Sequence, residues 1–154
     1  MSVTTKQVHD AIWAELSGDA TLTAYVRQWV RGTGLLAGFA TSFPYVEFNV
    51  LRWTSEPLTV GPRGVDRIEY TCAVDILLSD LSIEALFSGD SVQPGIYQFI
   101  DDTIAAIQYK KFGVLTEPSM VSAGDVTIDR GDHFIVGASL DLTCVVHNRR
   151  EICG

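Results

Sequence analysis

The sequence has few basic residues and no long apolar run. Lysine and arginine together number 11 against 19 aspartates and glutamates, which gives a formal net charge of −8 over 154 residues. A surface with this charge balance is poorly suited to binding a nucleic acid backbone, although it would allow DNA to pass without being bound. No apolar run approaches the roughly 20 residues that a membrane-spanning helix requires.

Cysteine is also scarce. Cys72, Cys144 and Cys153 are an odd number, and none of them has metal-binding spacing. Such a set fits a reducing compartment better than a secreted disulfide framework. The first residues lack the apolar core of a signal peptide. We therefore expect a soluble protein made in a cytoplasm, without a zinc site.

Motifs that mark common active sites are absent from the sequence. There is no GxSxG, no GxxxxGK[ST], no GxGxxG after a strand and no HExxH. The neighbouring carboxylates Asp101 and Asp102 cannot face each other on a helix, so they do not form an acid/base pair. We expect no catalytic residue, no cofactor and no metal ion.

Two long segments with alternating apolar residues predict the centre of a sheet. Alternate positions are apolar from Ile68 to Leu78 within residues 66–80, and from Phe134 to Val146 within residues 133–147. Long strands with one apolar face are typical of an antiparallel sheet that helices cover on one side. Two further strands are predicted at residues 43–53 and 121–129.

Amphipathic stripes predict the helices that cover this sheet. Residues 4–17 carry Val8, Ile12 and Leu16 on one face, and residues 95–109 carry a second stripe. Thr4 or Thr5 can cap the start of the first helix. Gly18 suits a left-handed C-cap, and a further helix is predicted after it, where Asp19 can accept the first backbone N–H groups. The fold class is therefore α+β, a mostly antiparallel four-stranded sheet packed against two to three helices in a single domain, 1–154. The apolar positions of the two later helices are Leu22, Tyr25, Val26, Trp29 and Val30, then Ile96, Phe99, Ile100, Ile104 and Ile107.

A protruding loop is predicted at residues 54–65, between two strands that should be neighbours. It holds two prolines and two glycines, and it keeps Leu58 and Val60 with Arg63 near its end. Because it is too long for a tight turn, we interpret it as an assembly arm, ordered by a partner chain and not by its own domain. A short C-terminal extension is expected at residues 148–154.

The polar row of the predicted sheet still contains four large apolar side chains. Apolar groups on an otherwise polar face more often mark an interface than an isolated surface. Together with the three residues of the loop, they form the candidate subunit or partner interface. Its members are Leu58, Val60, Arg63, Tyr45, Leu51, Ile135 and Val145.

The order of elements resembles the tail-terminator and tail-completion (head–tail joining) proteins of long-tailed bacteriophages. The opening VHDAIWAELSGDATLTAYV, the strand FPYVEFNV and the closing ASLDLTCVVH carry the resemblance, which covers most of the chain through patterning and length. It implies a structural virion protein without an active site. Such proteins form a ring, usually a hexamer, at the head-proximal end of the tail, where they cap the tail tube and join it to the head.

The resemblance also implies partners and a location. The partners would be further copies of the chain, the tail tube protein, a head-completion or connector protein, and DNA passing through the lumen, with no membrane. The protein would be assembled in the host cytoplasm and end in the neck of the virion. Another connector or stopper component of the same neck is an alternative reading.

An alternative of a different class is a small α+β enzyme or ligand-binding module. Its pocket would lie between helices and sheet, lined by Tyr70, Asp75, His133 or Asp141.

Overall fold

The computed structural model describes residues 2–31, 42–130 and 134–150. This part of the chain forms helices and strands in the order α1 (Thr5–Ser17), α2 (Ala20–Thr23), β1 (Gln28–Arg31), β2 (Tyr45–Pro57), β3 (Val65–Asp80), α3 (Ile83–Ser88), α4 (Ile96–Ile107), β4 (Met120–Arg130) and β5 (Phe134–Arg149).

The described strands form one sheet in the order β1-β2-β3-β5-β4. β1 runs parallel to β2, whereas the other three pairings are antiparallel. The two longest strands, β3 and β5, pair along their whole lengths, from Val65 with Arg149 to Asp80 with Phe134. The α+β class and the mostly antiparallel sheet are confirmed. The described residues form five strands where four were predicted, and four helices where two to three were predicted.

The additional strand replaces most of the predicted second helix. α2 ends at Thr23, and Trp29 and Val30 lie in β1, opposite Val46 and Glu47. The prediction was wrong because the apolar spacing of a short segment fits a helix and a half-buried strand alike. Aromatic and β-branched residues suit a strand once a partner edge is present, and β2 provides that edge.

Side-chain caps mark the starts of α1 and α2, as the sequence predicts. The Thr4 side chain accepts the Gln7 N–H and the Gln7 side chain accepts the Thr4 N–H, while Asp19 caps α2. Gly18 ends α1 with a φ of −93°, so the predicted left-handed conformation is wrong. A Cβ atom at Gly18 would lie 2.8 Å from the Ala14 carbonyl oxygen, so the position requires glycine because of this close approach.

α4 lies across the sheet with a buried face that is rotated from the predicted stripe. Ile100 and Ile104 are only half-buried, because they lie at the margin of the helix towards β4. The residues that pack fully into the core are Ile96, Phe99, Thr103, Ala106 and Ile107.

One side of the sheet, called the helix face below, carries the core. Both predicted apolar rows lie on it, from Tyr70 to Leu78 and from Val136 to Val146, and they pack with residues of α1 and α4. The opposite side, called the second face, is not uniformly wet as predicted. Its buried residues are Tyr45, Glu47, Ala73, Asp75, Leu77, Gly137 and Val145.

The predicted loop at residues 54–65 is largely a continuation of the sheet. Thr54 to Pro57 belong to β2 and pair with Glu69 to Asp66 of β3, so only residues 58–64 connect the strands. At the other terminus β5 continues to Arg149, which includes the first residues of the predicted extension. Residues 151–154 lie outside the described chain.

Candidate functional site

The distal half of β2 and the connection after it form an exposed hairpin end. Every residue from 52 to 60 is exposed. The large apolar side chains among them are Trp53, 64% exposed, Leu58, 47%, and Val60, 97%. β1 pairs with β2 only as far as Phe48, so no described strand covers the outer edge of β2 from residue 49 onwards. Within the described part of the chain, the hairpin end therefore presents exposed apolar groups beside a strand edge without a partner strand.

The connection at residues 58–64 is held by its own chain. Arg150 donates from its guanidinium group to the carbonyl oxygens of Gly61 and Thr59, and its Nη2 lies 2.8 Å from an Asp66 carboxylate oxygen. The prediction that the loop is ordered only by a partner is therefore wrong. Arg63 is exposed like Leu58 and Val60, so all three predicted interface residues of the loop are accessible.

A second open edge lies on the opposite side of the sheet. No described strand pairs with the outer edge of β4. On its helix face Val126 and Ile128 are 45% and 44% exposed. Between α4 and β4 lies an open groove of about 370 Å³. Its lining residues include Ile100, Ile104, Val121, Gly124, Asp125 and Leu140.

The second face carries two adjacent buried carboxyl groups. Glu47 of β2 lies opposite Asp75 of β3 in the strand register. In the described part of the chain neither Glu47 carboxylate oxygen has a hydrogen-bond partner, and the same holds for Asp75 Oδ1 and the Tyr45 hydroxyl. Burial raises the pKa of Glu47, and the nearby Asp75 raises it further. Burial also raises the pKa of Asp75, and a hydrogen bond from Ser139 partly offsets that rise.

An ion-pair network occupies the hairpin end of the second face. The Arg67 guanidinium lies 2.9 Å from a Glu117 oxygen and 3.0 Å from a Glu69 oxygen. His147 Nε2 lies 3.3 Å from the same Glu117 oxygen. The partly exposed network ties β3 and β5 to the segment before β4, and we interpret it as structural.

The four predicted interface residues from the polar row do not form an exposed patch. Tyr45 and Val145 are buried and Ile135 is half-buried, whereas the side chain of Leu51 lies outside the described structure. The prediction of an apolar surface there is wrong for Tyr45 and Val145. Alternation assigned the face correctly, but it could not show that Tyr45 and Val145 are buried on that face.

The residues proposed for an enzyme pocket do not come together. Tyr70 lies on the helix face, where its hydroxyl is 3.3 Å from the Thr5 hydroxyl. Asp75 and Asp141 lie on the second face, on neighbouring strands. His133 is outside the described residues. Residues on the same face of a strand are an even number of positions apart. Tyr70 and Asp75 are an odd number of positions apart, so strand alternation alone puts them on opposite faces.

Several surface residues were missed at the sequence level. The sequence pattern places Trp53 at the end of a strand but does not assign it to a face of the sheet. It gives Val126 and Ile128 no role beyond that of strand residues. The exposed run at 52–60 offered one signal, because polar residues flank Trp53 and prolines follow it. The exposure of β4 had no sequence signal, since it depends on where α4 ends.

Cys72 and Cys144 are buried free thiols, as the strand pattern predicted, whereas Cys153 lies outside the described residues. Across residues 2–31, 42–130 and 134–150 no group of three or more histidine, cysteine or acidic side chains is arranged to hold a metal ion. None of the described helices has the length and apolar character to span a membrane.

Comparison of the sequence with known protein families and with curated proteins finds no match.

Proposed function

We propose that this chain is a structural virion protein, the tail terminator of a long-tailed phage. Copies of it form a ring at the head-proximal end of the tail, cap the tail tube and join it to the head. The observation that carries the proposal is the presence, on one subunit, of two different sheet edges that no described strand covers. These are β2 from residue 49 to 57 and β4 along Met120–Arg130.

Open edges with apolar side chains promote association between chains. A soluble monomer usually protects such edges with short strands, prolines or inward-pointing charges. Here β4 is 11 residues long and carries the half-exposed Val126 and Ile128. Edges of this kind promote aggregation of a monomer, whereas in an assembly they can pair with a neighbouring subunit.

The two edges have the geometry that a ring requires. A closed ring needs two different complementary surfaces on each subunit. β2 and β4 run antiparallel to each other, because three successive antiparallel pairings separate them. Rotation about an axis along the strands would bring β2 of one copy beside β4 of the next in antiparallel pairing.

The charge of the chain suits a channel for DNA. A formal net charge of −8 on each copy repels the phosphate backbone, which favours passage over binding. The tail tube protein and a head-completion or connector protein are the further partners in this proposal. The same features suit a connector or stopper of the neck, which differs in its neighbours and not in its chemistry.

Mass photometry and negative-stain electron microscopy of the purified chain, alone and with isolated tail tubes, test the proposal. We expect rings, with a mass near ~100 kDa for six copies of the 16.8 kDa chain, or a ring-shaped cap at one tube end. A chain that stays monomeric at every concentration and leaves both tube ends bare would refute the proposal. Cap formation at the head vertex and not at the tube would favour the connector.

A further inference from the structure

The indole of Trp53 is exposed at the hairpin end. Trp53 lies opposite Tyr70 in the strand register, and opposed residues of antiparallel strands share a face. Its side chain is therefore on the helix face, yet it is 64% exposed. Tryptophan is among the residues most often found at the energetic centre of an interface.

The groove between α4 and β4 lies on the same face at the opposite edge of the sheet. Gly124 and Val126 of β4 are opposite Leu140 and Ala138 of β5, which belong to the core. Half-buried Ile100 forms part of the opposite wall. The groove is thus a slot with apolar and polar lining beside the outer edge of β4, and its volume of about 370 Å³ accommodates an aromatic side chain.

We infer that the groove binds Trp53 of a second copy of this chain. This inference rests on the proposed ring. Rotation about a ring axis keeps each sheet in the same orientation relative to that axis. The helix face of one copy therefore continues into the helix face of the next. When β2 of one copy lies along β4 of its neighbour, Trp53 points towards the slot that α4 leaves uncovered.

Charge supports the choice of a second copy as the occupant. Arg52 and Arg63 are exposed on the hairpin end, and no described carboxylate pairs with either. Arg52 and Asp125 are opposite Thr71 and Ser139 in the strand register, so both lie on the second face. Pairing β2 of one copy with β4 of the next would therefore bring an exposed guanidinium and an exposed carboxylate onto the same face of the continued sheet. The edges of β2 and β4 are therefore complementary in charge as well as in strand direction.

A double-mutant cycle measured by mass photometry tests this docking. Trp53→Ser on the hairpin and Val126→Asp beside the groove should each weaken subunit association about tenfold or more, because both remove a desolvated contact. The double variant should lose little beyond the stronger single variant, because the two residues act on one contact. Val92→Ser, which truncates an exposed apolar side chain elsewhere, is the matched control and should assemble like the parent chain.

Tryptophan fluorescence gives an independent readout of the same contact. Trp53 emission should shift to shorter wavelength on assembly, and Trp53→Phe should abolish the shift. If the parent chain forms rings and both single variants form them equally well, this docking is wrong and the proposed function stands. If the parent chain neither self-associates nor caps tubes, the proposed function and this docking fail together.

Discussion

Glu47 on β2 and Asp75 on β3 lie directly opposite each other, and both carboxyl groups are buried. The pKa of each is raised, chiefly by burial. A carboxyl group with a raised pKa in the folded state stabilises the fold most at acid pH. That contribution is lost as the pH rises through the folded-state pKa, because the folded chain then holds a buried charge.

The first prediction concerns this pair. Replacing both groups by their amides, Glu47→Gln with Asp75→Asn, should stabilise the protein at pH 8 and leave it nearly unchanged at pH 4. A gain of ~1 kcal/mol corresponds to roughly 2–4 °C in Tm for a chain of this size. Thermal unfolding of variant and parent across this pH range gives the difference in Tm between the two proteins. Unrelated titrating groups contribute equally to both, so their effect cancels in this difference. An equal difference at both pH values would contradict the shifted pKa values.

The second prediction concerns the helix face. Ile76→Asp or Leu140→Asp should abolish soluble folding, because an unpaired carboxylate in the core costs several kcal/mol. Val126→Asp introduces the same group at a half-exposed position of the same face and should leave the circular dichroism spectrum unchanged. Normal folding of both core variants would show that the faces are wrongly assigned.

The third prediction concerns the Arg150 contacts at the hairpin end. Arg150→Ala removes the donors to Gly61 and Thr59 and should speed amide hydrogen exchange in residues 58–64 by about tenfold, without a change in the core strands. Arg63→Ala, which removes an exposed guanidinium without a described partner, is the control. Unchanged exchange in the Arg150 variant would mean that the backbone hydrogen bonds of the turn suffice.

The fourth prediction concerns the apolar tip of the hairpin. Leu58→Ser with Val60→Ser should leave the Tm within about 1 °C, since both side chains are largely exposed in the subunit. Assembly or capping of tail tubes should weaken severalfold, because the tip then loses the apolar area that it buries against a neighbour. Wild-type assembly by this variant would limit the role of the hairpin to Trp53 and the β2 edge.

The sequence was sufficient to predict what depends on local periodicity and capping. The long alternation from Ile68 to Leu78 located β3, and the Thr4 and Asp19 side chains marked helix starts. Elements whose identity depends on distant partners were not predictable. β1 exists as a strand because β2 offers an edge, and residues 54–57 are strand because β3 faces them.

The candidate surfaces show the same limit. Leu58, Val60 and Arg63 were found because a connection between strands lies on the surface. Burial of Tyr45 and Val145, and exposure of Val126 and Ile128, depend on which parts of a face another layer covers. Alternation predicts the face of a residue, but it does not predict the extent of the layer above it.

Immunogold electron microscopy of virions whose genome encodes this chain tests the central claim most directly. With antibodies against the exposed hairpin end, or against an epitope tag in its place, the account predicts gold particles at the junction between head and tail. Label confined to any other part of the virion, or virions that lack the chain altogether, would contradict it.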